Sequence, residues 1–178
     1  MLTDAIGVRA RRISDVMVHS LNQFARLRHL LVRTKWLYLT WVWQMDLDPS
    51  CEFSLSARFD KTYPRGVHVG AESYIAFDAA ILAHDMTRGL YLHTRIGRRC
   101  FIGARSIVMP GVEIGDECVV GSGSVVIRSV PPRCMVVGNP AKIVRENIKV
   151  GRFGRLEGAD ETHRRLVEEG AFSREGAH

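Results

Sequence analysis

The residues of this chain best suited to acid–base chemistry lie around a single histidine. His84 belongs to the stretch Ala83-His84-Asp85, just before a place where a regular spacing of aliphatic residues is interrupted. A histidine ring gains and loses a proton near neutral pH, so His84 could act as a general base. The alternative interpretation is a surface histidine at a turn. The elements that surround His84 therefore bear on its role.

An aliphatic residue recurs at intervals of six, with one exception, through the middle of the chain. These anchors are Val69, Ile75, Ile81, Leu90, Ile96, Ile102, Val108, Ile114, Val120 and Val126. Four residues after an anchor stand the mostly small side chains of Ser73, Ala79, Thr94, Cys100, Ser106, Val112, Cys118 and Ser124. Neither a helical period nor strand alternation produces this spacing. A six-residue repeat predicts a parallel β-helix, in which coils bury their aliphatic side chains by stacking.

The exception to the repeat comes directly after His84. Ile81 and Leu90 are nine residues apart instead of six, which predicts a three-residue bulge at 87–89. Loops that leave a rigid scaffold often carry the residues that bind and react. This position favours a catalytic role for His84.

A shallow groove is predicted beyond His84. With three hexads per coil, we expect the stretches that begin at Ile81, Ile102 and Val120 to share one face. Two residues after these anchors stand Ala83, Ala104 and Ser122. Their small side chains would leave room for a long, thin ligand. Basic residues suited to phosphates follow at the upper end, namely Arg128, Lys142 and Arg145. A histidine at one end and phosphate-binding residues at the other suit a thioester of coenzyme A.

Charge and hydropathy restrict the class of partner. The formal net charge is +6, and residues 1–35 carry seven Arg or Lys against two Asp. Such an arm could meet an anionic membrane surface or an acidic glycan, or it could be a solvated helix face. The longest apolar run, 36–43, is too short to span a bilayer, and the polar sequence after the first arginines leads us to expect no signal peptide. We expect a cytoplasmic protein, at most peripheral to a membrane, with no nucleic acid partner.

Three regions are predicted along the chain. Residues 1–50 form a helical and aromatic arm, residues 51–130 form the β-helix, and residues 131–178 form a carboxyl-terminal cap and tail. We expect Pro131 and Pro132 to end the repeat, because proline cannot donate to a strand ladder. A short capping helix is expected over Lys142 to Ile148 and another helix near Asp160 to Glu169.

Some elements of the arm and cap have further expectations. Within the arm, Ile13, Val16, Met17, Phe24, Leu27 and Leu31 fall on one helical face. The tryptophans Trp36, Trp41 and Trp43 are expected to pack against the coils or between subunits. Cys100 and Cys118 both fill the small position and lie eighteen residues apart, which predicts two reduced thiols in neighbouring coils. Cys51 and Cys134 fit no metal spacing.

The chain resembles the hexapeptide-repeat acetyltransferases, most of all O-acetyltransferases that act on sugars of surface polysaccharides. The matching stretches are Asp60 to Gly70 (DKTYPRGVHVG), Ile81 to Asp85 (ILAHD) and Ile102 to Arg145. The resemblance implies a left-handed β-helix, a homotrimer with active sites between subunits, and acetyl-CoA as the acyl donor without a metal.

The resemblance also implies roles for individual residues. The general base falls on His84, which would take the proton from a sugar hydroxyl as its oxygen attacks the thioester. The coenzyme A contacts fall on Ala104, Ser122, Ile127, Arg128, Lys142 and Arg145. Many relatives carry threonine where this chain has Ile127, so a hydroxyl contact is lost there. Asp85 is a candidate contact to the acceptor, or it orients groups in the loop. His93 is a surface residue or a contact to the acceptor across a trimer interface. Asp85 is not expected to orient His84, because neighbouring strand residues point to opposite faces.

Three other functions are compatible with the same residues. The acceptor could be an amino sugar or another small amine. A zinc enzyme like the γ-class carbonic anhydrases could use His68, His84 and His93. A non-catalytic assembly scaffold is the third alternative.

Overall fold

The computed structural model describes residues 25–168. Two α-helices lie at its ends, α1 (Ala25–Leu37) and α2 (Ala159–Glu168). The first strands are β1 (Asp46–Leu47), β2 (Glu52–Phe53), β3 (Arg58–Phe59), β4 (Val67–Val69), β5 (Tyr74–Ile75), β6 (Ala80–Ile81), β7 (His84–Asp85) and β8 (Leu90–Tyr91). The others are β9 (Thr94–Ile96), β10 (Phe101–Ile102), β11 (Ile107–Val108), β12 (Glu113–Ile114), β13 (Val119–Val120), β14 (Val125–Val126), β15 (Met135–Val137) and β16 (Lys142–Arg145).

The chain visits three parallel sheets in rotation, so that each coil adds one short strand to each sheet. The first face contains β1, β4, β9 and β12, and the third face contains β3, β6, β11 and β14. The second face contains β2, β5, β10, β13 and β15, and β16 joins its edge in the antiparallel sense. The predicted parallel coils are therefore present, and their aliphatic anchors meet in the space that the three sheets enclose.

Nine of the ten predicted anchors are buried in one hydrophobic core. The residues at the small position are buried as well. Each of them lies two residues before an anchor, beginning with Ser73 before Ile75. Small side chains fit there because each coil turns a corner at that point and packs on the coil below.

Leu90 is the anchor that the sequence misassigned, since it is 40% exposed. After Ile81 the next core position is Ile96, which lies on the first face above Val69. Val69 and its partner Ile96 are 27 residues apart, whereas Ile96 and its partner Ile114 are 18 apart. The insertion after Ile81 therefore has nine residues, not three. Leu90 lies six residues before Ile96. It therefore matched the spacing of the repeat although it is not a core residue.

The coils extend beyond the predicted limits of 51 and 130 at both ends. β1 pairs with β4, which places Leu47 under Val69. β15 pairs with β13, which places Val136 above Val120. Pro131 and Pro132 do not end the repeat, because they occupy a corner where no ladder hydrogen bond is needed.

The predicted capping helix over 142–148 is wrong. Residues Lys142–Arg145 form β16, which pairs antiparallel with β15. The β-branched Ile143 and Val144 favour a strand, and this strand covers part of the edge that the last coil would expose. The predicted helix near Asp160 is present as α2.

Helix α1 closes the open lower end of the coils, and a π-helix at Tyr38–Val42 continues it. Lys35 Nζ donates to the carbonyl oxygens of Leu55 (2.8 Å) and Ala57 (2.7 Å). Burial, together with the nearby charge of Lys61, lowers the pKa of the Lys35 amine. No helix within residues 25–168 is long and apolar enough to cross a membrane. The predicted helical positions Ile13, Val16, Met17 and Phe24 lie outside the described residues.

The three tryptophans of the arm differ in their surroundings. Trp36 and Trp43 pack against the core, as expected. Trp41 is 79% exposed, so it does not pack against its own coils, and its packing between subunits stays a prediction. Both Trp41 and the buried Leu39 belong to the π-helix Tyr38–Val42, so this short element has one buried and one exposed side.

All four cysteines are buried and stand as free thiols in the structure, and the reduced state of Cys100 and Cys118 stays a prediction. Cys100 and Cys118 occupy adjacent coils at the same corner, since the amide of Phe101 donates to the carbonyl of Cys118. Burial raises the pKa of the Cys51 and Cys100 thiols to about 12. Both thiols are therefore neutral at physiological pH.

Candidate active site

Two insertions leave the coils at one corner, between the third and first faces, which we call the His84 corner. The lower insertion is the loop 60–66 between β3 and β4, and the upper one is the hairpin of β7 and β8. Phe59 pairs with Ile81, so the residues that follow each of them are stacked one coil apart. The amide of Asp60 donates to the carbonyl of Ile81 at 3.0 Å. The repeat thus brings the start of both insertions together.

The buried Asp60 and the half-buried His84 form a pair at this corner. Asp60 Oδ2 lies 2.5 Å from His84 Nδ1, and it also accepts the backbone amides of Ala83 (2.8 Å) and His84 (2.9 Å). Asp60 Oδ1 accepts the amide of Thr62 at 2.8 Å. Asp60 is only 6% exposed, whereas the His84 side chain is 25% exposed. The carboxylate is held inside, and the imidazole reaches from it toward solvent.

The charge of this pair follows from its hydrogen bonds. Burial on its own would raise the pKa of the Asp60 carboxyl, but the bonds from the Ala83 amide, the His84 ring and the Thr62 amide lower that pKa to about 2. Asp60 is therefore a carboxylate at neutral pH, and a carboxylate only accepts. In neutral His84 the proton then resides on Nδ1, which leaves the lone pair on Nε2. No residue in the described part of the chain bonds to that Nε2 atom.

Asp85 shapes the hairpin that follows His84. Asp85 Oδ1 accepts the amide of Thr87 at 2.9 Å and its hydroxyl at 2.6 Å, and Oδ2 lies 2.6 Å from Arg88 Nε. The bonds from Thr87 and Arg88 hold the pKa of the Asp85 carboxyl well below its usual range. Asp85 does not bond to His84, as the strand alternation predicted. A contact between Asp85 and the acceptor stays a prediction.

His93 belongs to a second polar cluster beside the same corner. His68 Nε2 lies 2.7 Å from His93 Nδ1, and His68 Nδ1 lies 2.8 Å from Asp46 Oδ2. Among residues 25–168, no group of three or more metal-ligating side chains is placed to hold a metal ion.

The predicted groove beyond His84 is not present within one chain. Ile81 pairs with Val108 on the third face, not with Ile102, which lies on the second face. The prediction allowed for three inserted residues, but the insertion has nine. Every hexad after it was therefore assigned to the wrong face. Ala83 therefore lies at the His84 corner. Ala104 and Ser122 lie together at the corner between the second and third faces, which we call the small-residue corner.

The basic residues are divided between the two corners. Arg128 follows β14 and lies at the His84 corner, two coils above Ala83, with the exposed Ile127 before it. Lys142 pairs with Val137 directly above the small-residue corner. Arg145 pairs with Met135 at the opposite end of β16. Only Lys142 therefore lies above Ala104 and Ser122 in the same chain.

Asp60 is the functional residue that sequence reasoning did not identify. It opens the stretch Asp60 to Gly70 that carries part of the resemblance, yet its role depends on Phe59 lying directly under Ile81. One signal was available. Asp60 follows an apolar anchor at a position that the next coils fill with Leu82 and Met109, and a carboxylate there requires partners.

A cavity of about 580 Å³ lies elsewhere, between α1 and the first coils. Its lining is mostly apolar and includes Leu27, Leu31, Phe53 and Phe77. The lining includes neither His84 nor Asp60, so the candidate chemistry resides at the His84 corner and not in this cavity.

Comparisons with known proteins place the chain in a family. A family model described as "Hexapeptide repeat of succinyl-transferase" matches residues 93–128. The protein named "Putative acetyltransferase YvoF" from Bacillus subtilis (strain 168) is 34% identical over 124 residues, which span 68% of this chain and 72% of that protein. The galactoside O-acetyltransferase of Escherichia coli (strain K12) is 41% identical over 51 residues, 29% of this chain and 25% of that protein.

Among solved structures, a maltose O-acetyltransferase from Clostridium difficile 630 has a TM-score of 0.52 at 22% identity. The match covers 70% of this chain and 84% of that one, and it shows a shared fold. The 34% identity to the YvoF protein, over more than two thirds of both chains, shows that this chain is an enzyme of the acyltransferase class. It belongs to the hexapeptide-repeat acetyltransferases, as the sequence resemblance predicted.

Proposed function

We propose that this protein transfers an acetyl group from acetyl-CoA to a hydroxyl of a sugar or polysaccharide precursor, with His84 as the general base. The observation that carries the proposal is the pairing of Asp60 with His84. Asp60 directs the His84 lone pair outward from Nε2, and a general base must present its lone pair to the proton that it removes. Sugar acceptors are supported by the names of the galactoside and maltose relatives.

The proposed reaction is a direct transfer. His84 Nε2 takes the proton from the acceptor hydroxyl as that oxygen forms a bond to the thioester carbonyl carbon. The carbon–sulfur bond then breaks, and the imidazolium returns the proton to the departing thiolate of coenzyme A. Asp60 stabilises the transient positive charge on His84 through the 2.5 Å contact to Nδ1, and no covalent enzyme intermediate is needed.

The donor site is proposed to lie between two copies of the chain. One copy contributes the His84 corner with Arg128, and its neighbour contributes the small-residue corner with Ala104, Ser122 and Lys142. The separation of these corners within one chain supports this division, because neither corner alone contains both the base and the small residues. A left-handed winding of the coils and a homotrimer complete the proposal. Contacts at Ile127 and Arg145 belong to the same proposed site.

The cellular location stays a proposal. We infer a cytoplasmic protein, and contact of its basic arm with a membrane is part of the same inference. An amine acceptor is the alternative reaction for the same site, since a general base would serve an amine as it serves a hydroxyl.

The first test is calorimetric titration of the protein with acetyl-CoA, followed by an assay of free thiol release with a panel of methyl glycosides and amino sugars. Binding of acetyl-CoA and thiol release that depends on a glycoside would support the proposal. The variant His84→Ala should lose the release, whereas His29→Ala, which removes an exposed histidine of α1, should retain it. Release with amines alone would replace the hydroxyl acceptor by an amine, and absence of acetyl-CoA binding would overturn the proposed donor.

A further inference from the structure

A row of aromatic rings lies on the same side of the hairpin as His84. Tyr91 is the direct antiparallel partner of His84, and side chains of such partners project from one face. The Tyr91 ring centroid is 5.5 Å from that of Tyr63, which in turn is 5.7 Å from that of His93. Both contacts are edge-to-face, with interplanar angles of 66° and 73°. The row therefore begins beside the candidate base.

The row is exposed, and only Tyr63 packs partly against the core. Tyr91 is 61% exposed, and His93 is exposed as well. The Tyr63 ring is nevertheless held in place, because it packs closely on Gly66. A Cβ atom at Gly66 would collide with the ring and would lie 2.8 Å from the carbonyl oxygen of Leu92. Both insertions, which the coils do not need for stacking, thus converge on these rings. An exposed aromatic row beside a reactive group is suited to binding a ligand.

A series of hydrogen bonds fixes which atoms of the row donate and which accept. Asp46 Oδ2 accepts from His68 Nδ1 at 2.8 Å, and with both rings neutral His68 Nε2 accepts from His93 Nδ1 at 2.7 Å. The remaining His93 Nε2 accepts from the Tyr63 hydroxyl at 3.4 Å. The hydroxyl proton of Tyr63 is engaged in this way, so its oxygen lone pairs are available to a hydroxyl group of a ligand.

We propose that Tyr63, Tyr91 and His93 form the acceptor subsite and bind a pyranose ring whose apolar face lies on Tyr91. Tyr63 Oη accepts a bond from one ring hydroxyl, and a neighbouring hydroxyl is thereby presented to His84 Nε2. His68 and Asp46 are positioning residues, since they act through His93 on the direction of the Tyr63 hydroxyl. This inference rests on the proposed function, and it specifies an acceptor with a neutral sugar ring.

The dimensions of the hairpin agree with this arrangement. Cβ atoms of direct cross-strand partners are about 5 Å apart, which is close to the width of a six-membered sugar ring. A ring that rests on Tyr91 would therefore have its edge near His84. The amide of Leu92 donates to the carbonyl of Ala83 at 2.8 Å, which holds the two strands of the hairpin in this register.

The test separates sugar binding from chemistry. Saturation-transfer NMR with methyl β-galactoside and methyl α-glucoside should show that protons of the sugar ring receive magnetisation from tyrosine side chains. Tyr91→Ala should remove that transfer and raise the acceptor KM about tenfold, with the KM for acetyl-CoA unchanged. Trp41→Ala, which removes an exposed ring outside this aromatic row, is the matched control and should leave both KM values unchanged.

A second pair of variants tests the hydrogen-bond chain. Tyr63→Phe and His68→Ala should each raise the acceptor KM by about fivefold. The double variant should show no further rise, because both changes remove the same bond. Should Tyr91→Ala fail to fold, Tyr63→Phe carries the test alone, because it removes one hydroxyl group.

The possible failures differ for the two proposals. An enzyme that acetylates a methyl glycoside, but whose acceptor KM is unchanged in Tyr91→Ala and Tyr63→Phe, overturns the subsite and leaves the proposed function. If the rises in acceptor KM add up in the double variant, the proposed role of the hydrogen bonds from Asp46 to Tyr63 is overturned. An enzyme that neither binds the glycosides nor transfers acetyl to them overturns both proposals.

Discussion

Asp60 Oδ2 and His84 Nδ1 lie 2.5 Å apart although the two residues are separated by 24 positions in the chain. Their contact depends on the pairing of β3 with β6, which stacks the beginnings of two insertions. The same carboxylate oxygen holds the backbone amides of Ala83 and His84. Asp60 thus positions both the ring of the base and the strand that carries it.

Replacing either member of this pair should lower the turnover number. For His84→Ala we expect a loss of about two to four powers of ten, the usual contribution of a general base. For Asp60→Asn we expect about two powers of ten, because an amide can donate to Nδ1 and so place the ring proton on Nε2. Steady-state kinetics with acetyl-CoA check both values. Turnover within threefold of the unchanged protein in either variant would remove that residue from the mechanism.

Asp60 should also make stability depend on pH in the acid range. Its pKa in the folded protein is about 2, below the ordinary aspartate value of 3.8, so the folded state favours the carboxylate. Its contribution is present above the unfolded pKa and is lost as pH falls from about 4 toward the folded pKa. Urea titrations at pH 7, 4 and 3 should show the gap in unfolding free energy between the unchanged protein and Asp60→Asn becoming smaller. A gap that is constant or grows would contradict the assigned charge.

The basic residues should act on the donor and not on the acceptor. In the double variant Arg128→Ala/Lys142→Ala we expect the KM for acetyl-CoA to rise at least tenfold, because two phosphate contacts are lost, while the acceptor KM stays near its original value. Lys149→Ala is the matched control, since Lys149 is an exposed lysine that pairs with Glu157 on the surface. An unchanged KM for acetyl-CoA would place the phosphates elsewhere.

Mixing two inactive variants should restore part of the activity. His84→Ala removes the base, and Ser122→Trp fills the small-residue corner. In a mixed oligomer, some sites combine the intact His84 of one chain with the intact Ser122 of its neighbour. Co-expression with two different affinity tags, followed by tandem purification, isolates these oligomers for assay. Activity no greater than that of the separate variants would mean that base and donor groove belong to one chain.

The buried thiols should be unreactive in the folded protein. Burial raises the pKa of Cys51 and Cys100 to about 12 and also raises that of Cys118 and Cys134. Since the thiolate is the reacting form, we expect slow reaction with a disulfide reagent at pH 8 and four equivalents upon unfolding, one for each cysteine. Fast reaction of one thiol in the native protein would show that its corner opens. Fewer than four equivalents without reductant would show a disulfide.

Much of the fold was predictable because a hexad repeat is a local pattern. An anchor such as Ile102 and a small residue such as Cys100 have the same spacing in every coil, and each coil needs only its neighbours to bury them. The position of His84 beside an interruption was visible for the same reason. The family resemblance then followed from contiguous stretches of sequence.

What the sequence alone determined is therefore the repeat, the anchors of its regular coils and the histidine at its interruption. The tertiary structure decided the length of the insertion, because only strand pairing distinguishes the exposed Leu90 from the buried Ile96. It also decided which corner each small residue occupies and that Asp60 meets His84. These relationships depend on the number of residues between strands of successive coils, and a hairpin that happens to continue the six-residue spacing conceals that number until the strands are paired.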